Sequence, residues 1–269
     1  MTLATLRSRT TPASLARPHR PAFHHLVNID RGQLRQTVDF TGYTLVAGEW
    51  LWIRPRQVLQ WGDLARTEGT LILFQEEFLD AATISATGAD DPFAPARIDL
   101  EMAEQQVLHQ AAQHLTAEFV TYGAMPPHKH LAALRHLLAA LLLRLSQSVM
   151  PAEQPDGNTQ IFRRFRDLLE QRYTITRTVE DYATRLGYSP RTLTRASVAV
   201  VGVGAKEVIG QRVILEAKRM LAHTSHSAAQ VATRLGFDSA TNFNKYFHQR
   251  TGQTPIDFRT SIRGAATSD

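Results

Sequence analysis

One six-residue phrase is written twice in this chain, as Ala183-Thr184-Arg185-Leu186-Gly187-Tyr188 and as Ala232-Thr233-Arg234-Leu235-Gly236-Phe237. The copies differ only in the aromatic residue that closes them. A small residue, a leucine three positions on and a glycine directly after it describe a helix that ends at a sharp turn. Glycine enters the left-handed region there without steric penalty. Any fold for this chain must accommodate that helix end twice, in matched surroundings.

The surroundings repeat as well. Before the first copy, Thr178 is a candidate N-cap with Asp181 three residues on. Val179, Ala183 and Leu186 stand at i, i+4 and i+7 and form an inner face. After Gly187, Ser189-Pro190 restarts a helix with serine as cap and proline at its first position. Leu193 anchors this helix, and Arg191, Thr194 and Arg195 lie on another face. In the second copy Ser227 and Gln230 form a capping box, and Ala228, Val231, Ala232 and Leu235 face inward. Asp238 or Ser239 caps the next helix. Its Phe243 and Phe247 pack inward, leaving Ala240, Thr241, Asn244 and Lys245 outward. Both stretches, 178–199 and 226–249, read as helix–turn–helix units. Between them Ala205 to Ala222 reads as one helix, roughly 27 Å long at 1.5 Å per residue. With the offset of each second helix, the separation approaches the ~34 Å of one DNA turn. Gly210 weakens that helix by up to about 1 kcal/mol.

Charge is partitioned along the chain in the same sense. Thr159 to Asp269 carry 17 Lys and Arg against 9 Asp and Glu, whereas Met1 to Asn158 carry 13 against 16. A polyanion would dock on the C-terminal part. The chain has no cysteine, which excludes disulfides, thiolate nucleophiles and Cys-ligated zinc, and fits a reducing cytoplasm. The first residues have no signal-peptide core. The longest apolar stretch, Leu131 to Leu145, is interrupted by Arg135, His136 and Arg144 and is too short to span a bilayer.

The N-terminal half follows a different pattern. Residues 1–20, basic and proline-containing, read as a flexible arm. Over 21–97, short apolar runs broken by Gly, Asp and Pro suggest an antiparallel barrel or sandwich, with 86–95 as a loop. Two helices follow within 98–150, from Ile98 to Tyr122 and from about His128 to Met150. Leu100, Val107, Leu108, Leu115 and Phe119 are the apolar positions of the first, and Leu131, Leu134, Leu138, Leu141, Leu142 and Leu145 of the second. So wide an apolar surface must be covered by the barrel or by a second copy, which makes the pair a candidate dimerisation element. Residues 151–158 have linker composition. The fold class is therefore α+β, an N-terminal antiparallel β-barrel with two helices followed by an all-α C-terminal domain over 159–263 and a tail over 264–269.

The stretch Ala232 to Pro255, with its F-x-x-x-F-x-x-x-x-G-x-x-P ending and Phe258-Arg259 beyond, resembles the signature of the AraC/XylS family of bacterial transcription regulators. The likeness covers about 100 residues, and Glu207 to Leu221 resembles the family's linker helix. It implies a double helix–turn–helix that binds double-stranded promoter DNA, and an activator or repressor with RNA polymerase as partner if an activator. It places base-facing positions on Arg191, Thr194 and Arg195 in the first unit and on Ala240, Thr241, Asn244 and Lys245 in the second. Arginine suits the guanine O6/N7 pair, whereas Ala240 offers only a methyl. Arg185 and Arg234 read as surface or phosphate-neutralising residues. The N-terminal half resembles, more loosely, the cupin-like sensor barrel of many members, through Val38-Asp39-Phe40 and Ile53-Arg54-Pro55-x-Gln57-Val58. This chain departs from that pattern at Arg56 and Leu59. Trp50, Trp52 and Trp61 are candidates to line a small-molecule effector pocket, with core packing as the competing reading.

Two rivals are weighed. A metal-dependent cupin enzyme needs an H-x-H…E…H arrangement on strands. Here His24-His25 are adjacent and point to opposite faces of a strand, and His128-Lys129-His130 falls at a helix start. No metal, cofactor or catalytic residue is assigned. An effector-independent DNA binder, with the barrel acting only in dimerisation, is the second alternative.

Overall fold

The computed structural model describes residues 1–91, 94–121, 123, 125–147 and 157–265. The chain separates into two compact units, Met1–Ala152 and Glu153–Asp269.

In the first unit, residues expected to form a flexible arm are folded. Helices α1 (Leu3–Arg9) and α2 (Pro12–Leu15) are capped by the hydroxyls of Thr2 and Thr11. Leu3 is fully buried, and Leu15 nearly so. The backbone amide of Leu71 donates to the Met1 carbonyl at 2.8 Å, and the Met1 ammonium donates back to the Leu71 carbonyl at 2.9 Å. Arg7 reaches the carbonyls of Leu64 and Ala65. Two buried leucines outweigh the polar composition that suggested mobility, because each removes apolar surface from water.

Strands β1 (His24–Arg31), β2 (Gln33–Val38), β3 (Thr41–Val46), β4 (Trp50–Ile53), β5 (Leu59–Trp61) and β6 (Glu68–Phe74) follow. After a 3-10 turn at Glu76–Phe78 come helix α3 (Ala81–Thr87) and strand β7 (Arg97–Ile98). The strands do not close into the expected barrel. They form two antiparallel sheets, ordered β6-β1-β4-β7 and β3-β2-β5. The stretch read as a loop over 86–95 overlaps the end of α3, which Asp80 caps, and two of its residues, 92 and 93, lie outside the described ones.

Helices α4 (Met102–Val120) and α5 (Pro127–Gln147) come next. The first is shorter than Ile98–Tyr122, because Ile98 pairs with Trp50 in β7; Tyr122 and residues 148–156, which include most of the linker, lie outside the described residues. The inner face of α4 is Leu108, Ala112 and Leu115; Val107 and Phe119, expected inside, are exposed, as is Leu131 on α5. A helix covers its sheet with one stripe, and these three fall outside it.

The sheets bury two cores. Val27, Ile29, Leu34, Val38, Leu45, Leu51, Ile53, Leu59 and Trp61 meet in one, and Leu26, Trp50 and Trp52 join Leu108, Leu138 and Leu141 in the other. Strand β4 thus sends Leu51 and Ile53 to one face and its tryptophans to the other, as period two demands. His24 and His25 divide likewise. His24 stacks on Phe74 at 4.5 Å and its Nδ1 accepts from Trp52 Nε1 at 3.1 Å, whereas His25 stacks on Phe23. Burial, with smaller contributions from Arg54 and His25, lowers the His24 pKa to about 3. Burial likewise lowers His25 to about 4, against the opposing effect of the Phe23 carbonyl.

The segments that carried the barrel resemblance meet at one joint. Asp39 and Phe40, both at positive φ, turn β2 into β3. The Asp39 carboxylate accepts from the Val58 amide at 2.9 Å and from Gln57 Nε2 at 3.0 Å, and Gln57 Oε1 accepts from the Arg54 amide at 2.7 Å.

Candidate nucleic-acid interface

The second unit is helical throughout its described residues: α6 (Gly157–Arg172), α7 (Val179–Leu186), α8 (Pro190–Val201), α9 (Ala205–His223), α10 (Ala228–Arg234), α11 (Ala240–Thr251) and α12 (Pro255–Ala265). The repeated phrase ends α7 and α10 in the same way. Gly187 and Gly236 stand at φ of 72° and 71°. Tyr188 N–H donates to the Ala183 carbonyl and Phe237 N–H to the Ala232 carbonyl, each at 2.9 Å. This six-to-one bond satisfies a carbonyl that the helix end would otherwise leave open. Ala183 and Ala232 are buried, so each helix approaches its partner where only a methyl fits.

The second helix of each unit restarts as its sequence dictates. Ser189 Oγ accepts from the Thr192 amide and Ser239 Oγ from the Asn242 amide, each at 3.1 Å. The Ser227–Gln230 capping box forms in both directions. Thr178 stands at the N-cap of α7, as expected, but its side chain makes no capping bond; its amide lies 3.5 Å from the Thr176 hydroxyl. In α8, Leu193, Ala196 and Ser197 are buried; in α11, Phe243 and Phe247 are fully buried. Phe165 meets Tyr182 edge-on in the first unit, and Phe237 meets Phe243 edge-on in the second. The burial leaves Arg191, Thr194 and Arg195 exposed on α8, and Thr241, Asn244 and Lys245 exposed on α11, with Ala240 half-buried at the start of α11. Each candidate set therefore lies on one exposed face of one helix.

Helix α9 joins the two units and is 19 residues long, roughly 28 Å at 1.5 Å per residue. Its inner face is deeply buried, with Val208, Ile209, Val213, Ala217 and Leu221 inside. It also buries Arg212, Glu216 and Arg219. Arg212 forks onto the Glu170 carboxylate through Nε and through Nη2 at 2.9 Å, and reaches Glu216 at 3.3 Å; Arg219 meets Glu216 at 3.4 Å. The Arg212 guanidinium lies 3.9 Å from the centre of the Tyr173 ring. Gly210 is more than a weak point in the helix, because a methyl built there would lie 2.6 Å from Arg250 Nε. Its small size leaves room for the Arg250 guanidinium against α9.

Sequence reasoning missed several arginines that hold this frame. Arg164 donates to the Tyr188 hydroxyl, and Arg177 donates to the Leu235 and Gly236 carbonyls. Arg259, next to Phe258, donates to the Leu221 and His226 carbonyls. The repeat was a usable signal, since its two closing aromatics, Tyr188 and Phe237, each lie under an arginine from upstream. Of the repeated arginines, Arg185 pairs with Asp181 at 3.1 Å and Arg234 lies exposed.

Of the candidate pocket residues, Trp50 and Trp52 share one core, facing the helices of the first unit, and Trp61 lies in the other, between the sheets. All three are at most 4% exposed, which is the packing of core residues. An open groove of about 350 Å³ lies elsewhere in that unit, lined by Asp30, Thr70, His109, Gln113 and Thr116 among others. Among the described residues, no group of three or more His, Cys, Asp or Glu is placed to hold a metal ion, and no helix is long and apolar enough to cross a membrane.

Residues 182–261 match a helix-turn-helix domain family. The chain is 22% identical over 250 residues to the HTH-type transcriptional activator RhaS of Klebsiella pneumoniae, covering 92% of this chain and 89% of that protein. An AraC-type DNA-binding domain-containing regulator from Chromobacterium violaceum aligns at 23% identity, covering 39% of this chain and 95% of that one, with a TM-score of 0.36. ToxT from Vibrio cholerae aligns at 13% identity over 89% of this chain and 90% of that one, with a TM-score of 0.46. Through the paired helix–turn–helix of its C-terminal unit, the chain is similar to transcription regulators of the AraC/XylS family.

Proposed function

We propose that the chain reads promoter DNA with two different surfaces, Arg191, Thr194 and Arg195 on α8 and Ala240, Thr241, Asn244 and Lys245 on α11. The observation that carries this reading is that both sets are left at the surface by helices whose opposite faces are buried, at the two ends of one connecting helix. The first surface brings two guanidiniums, which suit bidentate contacts to guanine. The second brings a methyl, a hydroxyl, an amide and an ammonium, and contributes more to positioning than to base choice. Two unlike surfaces suit an asymmetric operator. Such a protein works where the DNA is, in the cytoplasm.

The test uses the full chain with Arg191→Ala and Arg195→Ala. Each substitution relaxes preference at one operator position by about 1–3 kcal/mol. Wild-type preference in both variants, scored by competition between operator and random duplex, overturns the assignment.

We further propose that the N-terminal unit receives a small-molecule effector and pairs two copies of the chain, with RNA polymerase as partner where the regulated gene is activated. The exposed Val107, Phe119 and Leu131 on α4 and α5 support the pairing. Sedimentation of the full chain at micromolar concentration checks it, and a monomer overturns it. Thermal unfolding of the chain with added candidate effectors checks the other half. A midpoint indifferent to all of them favours an effector-independent DNA binder.

A further inference from the structure

Helix α9 is not the only connection between the two helix–turn–helix units. The segment just before α7 also touches the turn of the second unit. Arg177 Nη1 donates to the Leu235 carbonyl at 2.9 Å and Nη2 to the Gly236 carbonyl at 2.8 Å. Its guanidinium carbon lies 4.1 Å from the centre of the Phe237 ring. One planar fork thus grips two successive carbonyls at the negative end of α10 and lies over the aromatic residue that closes the repeat. Thr174 completes the contact. A methyl built on Gly236 would lie 1.9 Å from the Thr174 carbonyl oxygen, so the backbones meet where only glycine fits. Thr174 and Arg177 sit between α6 and the cap of α7, which pack together in the first helix–turn–helix. At the first copy of the phrase the arginine over the closing aromatic, Arg164 over Tyr188, instead comes from α6, which packs on the same helix–turn–helix.

A single helix between two reading heads leaves their relative twist to the torsional play of that helix and its ends. A second attachment, far from the first along the chain, removes that freedom. We infer that Arg177 is a positioning residue for DNA recognition. By bracketing Gly236 against Thr174, it fixes the spacing and rotation of α11 relative to α8, and so restricts the chain to operators with one distance between the two subsites. The inference rests on the two-surface reading proposed above.

The difference between a rigid and a loose pair of heads is measurable. Each added base pair turns the second subsite by roughly 34° about the duplex axis. A rigid pair then loses its second head outright, whereas loosely linked heads keep most of the gain from joint binding.

The experiment uses the full chain and a duplex that it selects from a random 30-base-pair library, together with derivatives carrying one or two base pairs added or removed between the protected subsites. Wild type, Arg177→Ala and Arg177→Lys are compared by gel shift, with thermal unfolding as a check on folding. Wild type should lose at least about tenfold in affinity at a shift of two base pairs. Arg177→Ala should bind the selected duplex more weakly but show a profile flattened to within about threefold. Arg177→Lys, which keeps the charge but not the fork, should fall between them, and carries the test if the alanine variant does not fold. The salt dependence of binding should not change. A spacing profile as steep in the variants as in wild type overturns the inference. So does a salt slope lowered by about one, which would make Arg177 a phosphate contact instead. A flat profile in wild type would show that the two heads do not bind together, which overturns the two-surface reading and the inference with it.

Discussion

At the scale of single residues, the repeated phrase is mostly scaffold. Its alanine, leucine, glycine and aromatic hold an angle between helices, and the residues proposed to read DNA follow each copy. Gly236 carries the strongest constraint, with a φ of 71° and a carbonyl oxygen 1.9 Å from where a methyl would be. Gly187 has the same φ but open space around it. Gly236→Ala should therefore destabilise by clearly more than Gly187→Ala, which carries only the backbone strain of about 1 kcal/mol. Urea unfolding of the two variants checks the order. His24 gives the first unit a pH dependence with a defined sign. Its pKa is lowered from 6.5 to about 3, so the unfolded chain binds the proton and the folded chain does not. The stabilisation is complete above pH 6.5 and is lost as pH falls through the window from about 6.5 to about 3, by a few kcal/mol in all. Stability measured from pH 7.5 to pH 5 should fall in wild type and fall less steeply in His24→Gln.

At the scale of elements, caps and buried charges set the frame of the second unit. Removing the capping box with Ser227→Ala should cost about 0.5–2 kcal/mol, read from chemical denaturation. Glu170→Ala should cost more, about 3 kcal/mol, because Arg212 is only 5% exposed and would lose the carboxylate that its fork engages. A similar loss from both would mean that Glu216 alone compensates Arg212. The helix ends were legible because a capping motif is local, confined to four or five residues whose hydrogen bonds close on one another. Thr178 occupies the N-cap position as expected, but without a side-chain bond. Threonine before an acidic residue is a permissive pattern. Alternation along β4 shows that Trp50 and Trp52 share a face, but not which face meets the other sheet.

At the scale of the whole molecule, charge and spacing matter together. The excess of basic residues lies beyond residue 158. Affinity for the selected duplex should fall steeply between 50 and 200 mM salt, by about 10³-fold or more if six phosphates are neutralised. Titration at four salt concentrations checks this, and a flat response would mean that the basic field does not face DNA.

The amino-acid sequence by itself determined the two helix–turn–helix units, their caps, the length of the connecting helix and the exposed positions on α8 and α11, because helical periodicity and capping operate within a few residues. Only the tertiary structure decided that the first 20 residues are anchored, that the strands make two sheets instead of a barrel, and that Arg177 and Thr174 reach the turn at Gly236. Each of these depends on contacts between residues far apart along the chain, 70 positions from Met1 to Leu71, 58 from Arg177 to Leu235 and up to 50 between paired strands. Such contacts form only when burial and hydrogen bonding outweigh the entropy of closing the intervening chain, and no local pattern records that balance.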